Sequence, residues 1–396
     1  MPMLLAGVAT SQSVVTNNQS QSAPVTANPP PVDVDNTSGA VAGVADATGN
    51  SLSVPVTSGS LSVTSNQSLT GDVISNSQLN VVTNAGSATM NTASTGNSSD
   101  VETVTGGGAV TGTLTQTVGA VNILATNSIS ASGAQAGSLS TGTQAIANSQ
   151  GFVTDSSPVN VTTNQSSAAV VDAEDGGTLT YTGGTAAFSA SAVSNNLTGT
   201  GSGGAAQTIN ATQSTTGTRT QAGEYAYLGN AQTAQAASTA SDNNINISNQ
   251  GGSLNVVSNQ TNTAYTQAET ILSSYEFGTG QASAYSVANS VLAANAGPYT
   301  GVDNTQTNSG GVVANSSFIG NNGYDASSSS TAMGNAATGF ACSDCGGVIS
   351  VNNTQTNTGG VSATSSVEIA ASNRSVTSTA TAVGNTATYY VSKPSR

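Results

Sequence analysis

The 396-residue chain has no histidine and no tryptophan, and only four basic residues: Arg219, Arg374, Lys393 and Arg396. Each absence excludes something. Without histidine, the commonest general base and metal ligand is missing. With four cations against 18 carboxylates and a net charge of −14, no face can neutralise a run of phosphates, so nucleic acid is not an expected partner. An anionic membrane surface is excluded on the same ground. No run approaches the roughly 20 apolar residues that span a bilayer as a helix. Aromatics make up 4% and charged residues 6% of the chain, so neither a thick aromatic core nor a charge-solvated disordered coil fits. What is present is small and polar: Ser, Thr, Asn, Gln, Ala, Val and 45 Gly. That composition suits a thin ordered structure.

The ten residues NNTQTNTGGV at 352–361 repeat, with two changes, DNTQTNSGGV at 303–312. The Gln of this motif recurs along the chain as Gln19, Gln67, Gln116, Gln165, Gln213, Gln260, Gln306 and Gln355, at intervals of 46 to 49 residues. Ser or Thr follows it every time. A second column runs out of phase: Asn50, Asn97, Asn148, Asn195, Asn243, Asn289, Asn335 and Asn385. Each Asn stands 29–32 residues after a Gln and 17–20 before the next one. Two columns holding one phase over eight copies define a repeat of roughly 48 residues.

Short apolar–polar–apolar runs such as LNVV (79–82 and 254–257), VNV (159–161) and INI (245–247) have strand period and are bounded by turn residues. Helical periodicity is nearly absent, with 266–277 (TQAETILSSYEF) the one candidate helix. The expectation is an all-β chain, a β-solenoid (β-helix) of about eight repeats of roughly 48 residues. Each repeat is read as two coils of about 24 residues or three of about 16, giving a rod of roughly 75 or 115 Å. Stacked Gln and Asn are expected to form amide ladders between coils. A propeller of similar period is the alternative fold, disfavoured by the scarcity of aromatics.

The domain reading is a single repetitive solenoid over 11–391, preceded by 1–10 and followed by a tail at 392–396. Residues 4–9 read either as the remnant of a signal peptide or as an ordinary apolar start. Cys342 and Cys345, in CSDC, fall in the longest gap between columns. They are expected to staple a loop by a disulfide, with free thiols as the alternative. Acidic clusters at 33–36 and 172–177 are read as solvated loops, with Ca²⁺ binding as the other reading. Neither a cofactor nor a metal site nor a catalytic residue is expected, and the chain reads as a non-enzyme. All ten Tyr and five Phe lie from Phe152 onward, which reads either as sequence drift or as aromatic contacts of the C-terminal half with sugar or a partner. Thr-Gln-Thr in three units matches ice-binding ladders only in part.

The late units, NNTQTNTGG…STATAVGNTATYYV, resemble the holdfast anchor proteins of stalked alphaproteobacteria, most closely their D component. The Asn/Gln-rich texture is also similar to that of curli-type subunits. The resemblance implies an exported structural protein at the cell surface or outer membrane that anchors an adhesive polysaccharide. It also implies partners: a curli-like outer-membrane pore protein and an amyloid-like subunit. An amyloid-like surface fibre or matrix subunit, or a phage or adhesin stalk, are the alternatives.

Overall fold

A computed structural model describes residues 12–392, except 84–85, 104–106 and 343–345. Among the described residues there is no helix. The fold is a parallel β-solenoid, and each 48-residue repeat forms one coil. Pairing shows this directly. Gln12 pairs with Ser60, 48 residues on, and the offset between partners ranges from 46 (Arg219 to Tyr265) to 51 (Ser87 to Ser138). Two or three coils per repeat would need partners 24 or 16 residues apart, so that expectation is corrected. Eight coils stacked at the inter-strand spacing give a body about 34 Å long rather than 75 or 115 Å. Successive strands pair in parallel, which also excludes the antiparallel blades of a propeller.

Each coil has a short side and a long side. The short sides carry the Gln and form an eight-stranded sheet: Gln12–Gln21, Gly59–Leu69, Gly107–Val118, Val159–Ser167, Gln207–Thr215, Ser253–Asn262, Tyr299–Asn308 and Val348–Asn357. The long sides carry the Asn. From the fourth coil onward each is one bent strand: Val170–Ser202, Arg219–Asn249, Tyr265–Asn295, Val312–Cys342 and Val361–Ser392. In the earlier coils it is broken, as in Val73–Val81 and Ser87–Thr103. The bend divides the long side into a proximal limb before it and a distal limb after it, and the register steps there, between Thr182 and Thr185 and between Gly323 and Asp325. Residues 266–277 lie within a long strand, not a helix. Their apolar residues alternate in and out, and β-branched Thr and Ile suit the ladder.

Period-2 alternation sends every second side chain inward. The interior is banded along the rod. One strip is aliphatic, with Leu61, Val63, Leu114, Ile209, Ile245 and Leu254. A second is built mainly of Ala and Val, such as Ala145, Val171, Ala190 and Ala222. A third, between the two limbs, holds the bulk: Leu79, Met90, Leu139, Phe188, Phe277 and Phe318. Phe277 and Phe318 meet edge to face with centroids 4.9 Å apart.

Candidate functional site

The Gln and Asn columns face each other across the interior between the short side and the distal limb. Gln67, Gln116, Gln165, Gln213, Gln260 and Gln306 are buried, as are Asn97, Asn148, Asn195, Asn243, Asn289 and Asn335. Gln19 and Gln355, in the outermost coils, are half-buried, and Asn385 is exposed. Each Gln amide donates to the Gln carbonyl oxygen of the preceding coil: Gln116 to Gln67 at 2.8 Å, Gln213 to Gln165 at 2.7 Å, Gln355 to Gln306 at 2.7 Å. Each Asn amide donates the other way, to the following coil: Asn50 to Asn97 at 2.8 Å, Asn195 to Asn243 at 2.9 Å, Asn335 to Asn385 at 2.7 Å. The two amide columns therefore have opposite polarity, and their dipoles oppose.

Each column also clamps the opposite wall. The second N–H of Gln213 goes to the Asn244 carbonyl at 2.9 Å, and that of Gln260 to the Ser290 carbonyl at 2.9 Å. In return Asn243 donates to the Thr261 carbonyl at 3.0 Å, and Asn289 to the Thr307 carbonyl at 3.0 Å. Thus each Gln grips the backbone just after an Asn, and each Asn the backbone just after a Gln. In the interior coils both amide hydrogens and the carbonyl are used, which is how these two columns escape the cost of unpaired groups.

Local sequence explains the fit. The residue before each Asn is small in seven coils (Gly49, Gly96, Ala147, Ser194, Ala288, Gly334 and Gly384) and is Asp242 in the other. This position and the Asn both point inward, and the pairing register passes over the first of them. A Cβ on Gly96 would stand 2.5 Å from the Ala147 carbonyl oxygen. The tail of the repeated motif has a similar logic. Asn308 bonds the Gly310 carbonyl at 3.0 Å and Asn357 the Gly359 carbonyl at 3.0 Å, while Asn308 donates to Asn357 at 2.7 Å. A Cβ on Gly310 would lie 1.8 Å from the Ala264 carbonyl oxygen, so only glycine lets the turns stack there.

The Ser or Thr after each Gln contributes only its carbonyl to the clamp. Its side chain points outward, so retention of the hydroxyl has a cause other than the ladder. The two positions flanking Gln on the outer face are Asn18 and Ser20, Thr115 and Thr117, Thr305 and Thr307, and so on, always Ser, Thr or Asn. The short side thus presents a flat lattice of hydroxyls and amides, repeating every ~4.8 Å along the rod.

A second inward column was not legible in the sequence. Ser77, Asn127, Asp175, Glu224, Thr270 and Ser316 line the proximal limb, all buried. Asp175 is well served: Asn127 donates to it at 2.9 Å, Thr141 at 2.6 Å, and the amides of Gly176 and Ser189 at 2.9 and 3.2 Å. Burial still raises its carboxyl to about 6, against the lowering by those donors. Glu224 pairs with Asp175 in register, and neither of its oxygens has a hydrogen-bond partner among the described residues. Burial, then the Asp175 charge, holds its acid well above the ordinary carboxylate range. Asp242, fully buried beside the Asn column, is raised to about 7 by burial, opposed by the Thr266 hydroxyl, which donates to one of its oxygens.

The acidic segment 172–177 is therefore not a solvated loop. It lies in a strand, where Asp172 pairs with Arg219 at 2.6 Å and Asp175 is inside. Asp33 lies in the short strand Val32–Val34 and accepts from Asn80 at 2.8 Å. Among the described residues, no three Cys, Asp or Glu side chains gather as a metal would need. Cys342 is buried at a strand end, whereas Cys345 lies outside the described residues, as does the expected loop. The suggested signal remnant at 1–10 and Lys393 to Arg396 lie outside them too.

A family model described as holdfast attachment protein D matches residues 34–311, which is 278 of the 396 residues (311 − 34 + 1). The match ends near the close of the DNTQTNSGGV motif, so the late units quoted for the resemblance, at 352–391, lie wholly beyond it. No curated protein and no solved structure matches the chain.

Proposed function

The chain belongs to the holdfast attachment protein D family, and from that premise we propose that it is an exported, non-enzymatic structural protein that fastens an adhesive polysaccharide to the outer surface of a bacterium. The observation that carries this reading is the family match over most of the chain. The architecture supports it physically. A cross-linked amide interior ties every coil to its neighbours, so load applied along the side of the body is shared between coils. The outer lattice of hydroxyls and amides offers many weak, identical contacts, and such contacts sum when a polymer lies along them. A curli-like outer-membrane pore protein and an amyloid-like subunit are the proposed partners, on the strength of the resemblance.

Deleting the gene tests the proposal. Cells should go on making the adhesive but shed it into the medium. Attachment that is unchanged in the deletion strain overturns the reading. The mass of the purified protein in solution separates it from the alternatives, since a fibre subunit grows with concentration and a stalk is a fixed trimer.

A further inference from the structure

The tyrosines supply the strongest unexplained feature. Eight of the ten are exposed: Tyr181, Tyr227, Tyr265, Tyr275, Tyr285, Tyr299, Tyr324 and Tyr390. Two of them, Tyr181 (41% exposed) and Tyr324 (51%), stand at the ends of a groove of about 470 Å³. The groove follows the corner between the two limbs across the fourth to seventh coils. Tyr181, Asn230, Glu276 and Asn322 are in register, one per coil, along one wall. The floor is apolar, with Ala231 and Phe277 nearly buried. Glycines hold it open: a Cβ on Gly323 would stand 2.4 Å from the Phe277 ring, and one on Gly278 2.5 Å from the Gln232 carbonyl oxygen. The two tyrosines are three coils apart, about 14 Å along the rod.

We propose that this corner groove is a binding subsite for a neutral or amino-bearing polysaccharide strand, which deepens the attachment reading above and rests on it. A sugar ring has an apolar C–H face and an equatorial rim of hydroxyls. Tyrosine meets the first with its ring and the second with its phenol. The planar amides of Asn230, Gln232 and Asn322 and the carboxylate of Glu276 supply in-plane donors and acceptors between the aromatic ends. Asn230 donates to Glu276 at 3.1 Å, which fixes the carboxylate along the wall. An extended peptide fits less well. The strands lining the groove have a coil on either side of them, so no free sheet edge is offered there for strand addition. A polyanion is opposed by Glu276, by the absence of a cation among the lining residues and by the net charge of −14.

The test uses the full chain and calorimetric titration with four oligosaccharide sets: neutral hexoses, N-acetylated amino sugars, free amino sugars and uronic acids. Saturable binding of a neutral or amino set is expected. Tyr181→Ala or Tyr324→Ala should weaken it about tenfold each, and the double variant should abolish it. Tyr275→Ala, exposed but outside the groove, should bind as the parent does. Glu276→Gln should weaken only the free amino oligomers. All three tyrosines are exposed, and an unchanged melting curve confirms that the variants fold. The proposal is overturned if uronic acid oligomers bind best, if an extended peptide competes more strongly than any sugar, if no oligomer binds, or if the double variant binds undiminished. Should the groove variants bind normally while gene deletion still sheds the adhesive, the subsite falls and the attachment reading stands.

Discussion

Replacing Gln213 by leucine is the sharpest probe of the interior ladder. Gln213 donates to Gln165 at 2.7 Å and to the Asn244 carbonyl at 2.9 Å, and accepts from Gln260 at 2.8 Å. Leucine fills similar space but leaves the Gln165 carbonyl oxygen, the Asn244 carbonyl and one Gln260 N–H without those partners. Each buried orphan costs about 1–3 kcal/mol. Leucine returns about 1–2 kcal/mol in apolar transfer. The net expectation is a loss of roughly 3–5 kcal/mol, a large share of the ~5–15 kcal/mol typical of folded domains. Gln19→Leu is the internal control. Gln19 makes the same type of contacts, to the Ser51 carbonyl at 2.8 Å and from Gln67 at 2.8 Å, but in the half-buried first coil, where water can replace them. It should cost about 1 kcal/mol or less. Thermal melts followed by circular dichroism should therefore show a drop of roughly 4–6 °C for the central variant and about 1 °C for the terminal one, since the unfolding entropy of a chain this long is large. Equal shifts for the two would refute the claim that a closed hydrogen-bond circuit, rather than the backbone ladder alone, stabilises the interior.

Three further outcomes follow from the same geometry. Burial raises Asp175, Asp242 and Glu224 above their ordinary values, so the folded state holds protons that the unfolded chain has released. For Asp175 and Asp242 the contribution is complete below about pH 4 and is lost as pH rises to about 7, amounting for Asp242 to at most roughly 4 kcal/mol; Glu224 acts in the same direction. The melting temperature should fall between pH 4 and pH 7.5, and Asp242→Asn should flatten that slope. A melting temperature that rises over the same range contradicts the assignment. Gly310→Ala places a Cβ against the Ala264 carbonyl and should cost about 1–3 kcal/mol, read as a lower denaturant midpoint, while Gly360→Ala, with open space around it, should cost about 1 kcal/mol or less. Arg219→Ala removes a surface ion pair whose arginine is 47% exposed, and should change stability by less than about 1 kcal/mol, with little response to added salt.

Much of this molecule was legible in its sequence. Side-chain period 2, Gly and Asn at the turns and two phased amide columns are local facts, and together they require parallel strands stacked in register. The Gln and Asn positions could be named because identical amides pair best with themselves when coils stack. The same columns held a clue to the coil count, since neither Gln nor Asn recurs at half the period. Strand-like runs, which appear several times in each repeat, point instead to two or three coils. They do so because one coil has three walls.

The sequence by itself determined the repeat, the parallel stacking and the charge-poor, net acidic composition, because these depend on composition and on spacing along one chain. Only the tertiary structure decided what faces what across the interior. That the Gln column clamps the backbone beside Asn, that the two ladders run with opposite polarity, and that Glu224 lies buried against Asp175 all depend on how three walls close, which no one-dimensional pattern encodes. The groove between Tyr181 and Tyr324 is of the same kind. Its ends are 143 residues apart in sequence (324 − 181) and become neighbours because each coil advances the chain by only one strand spacing.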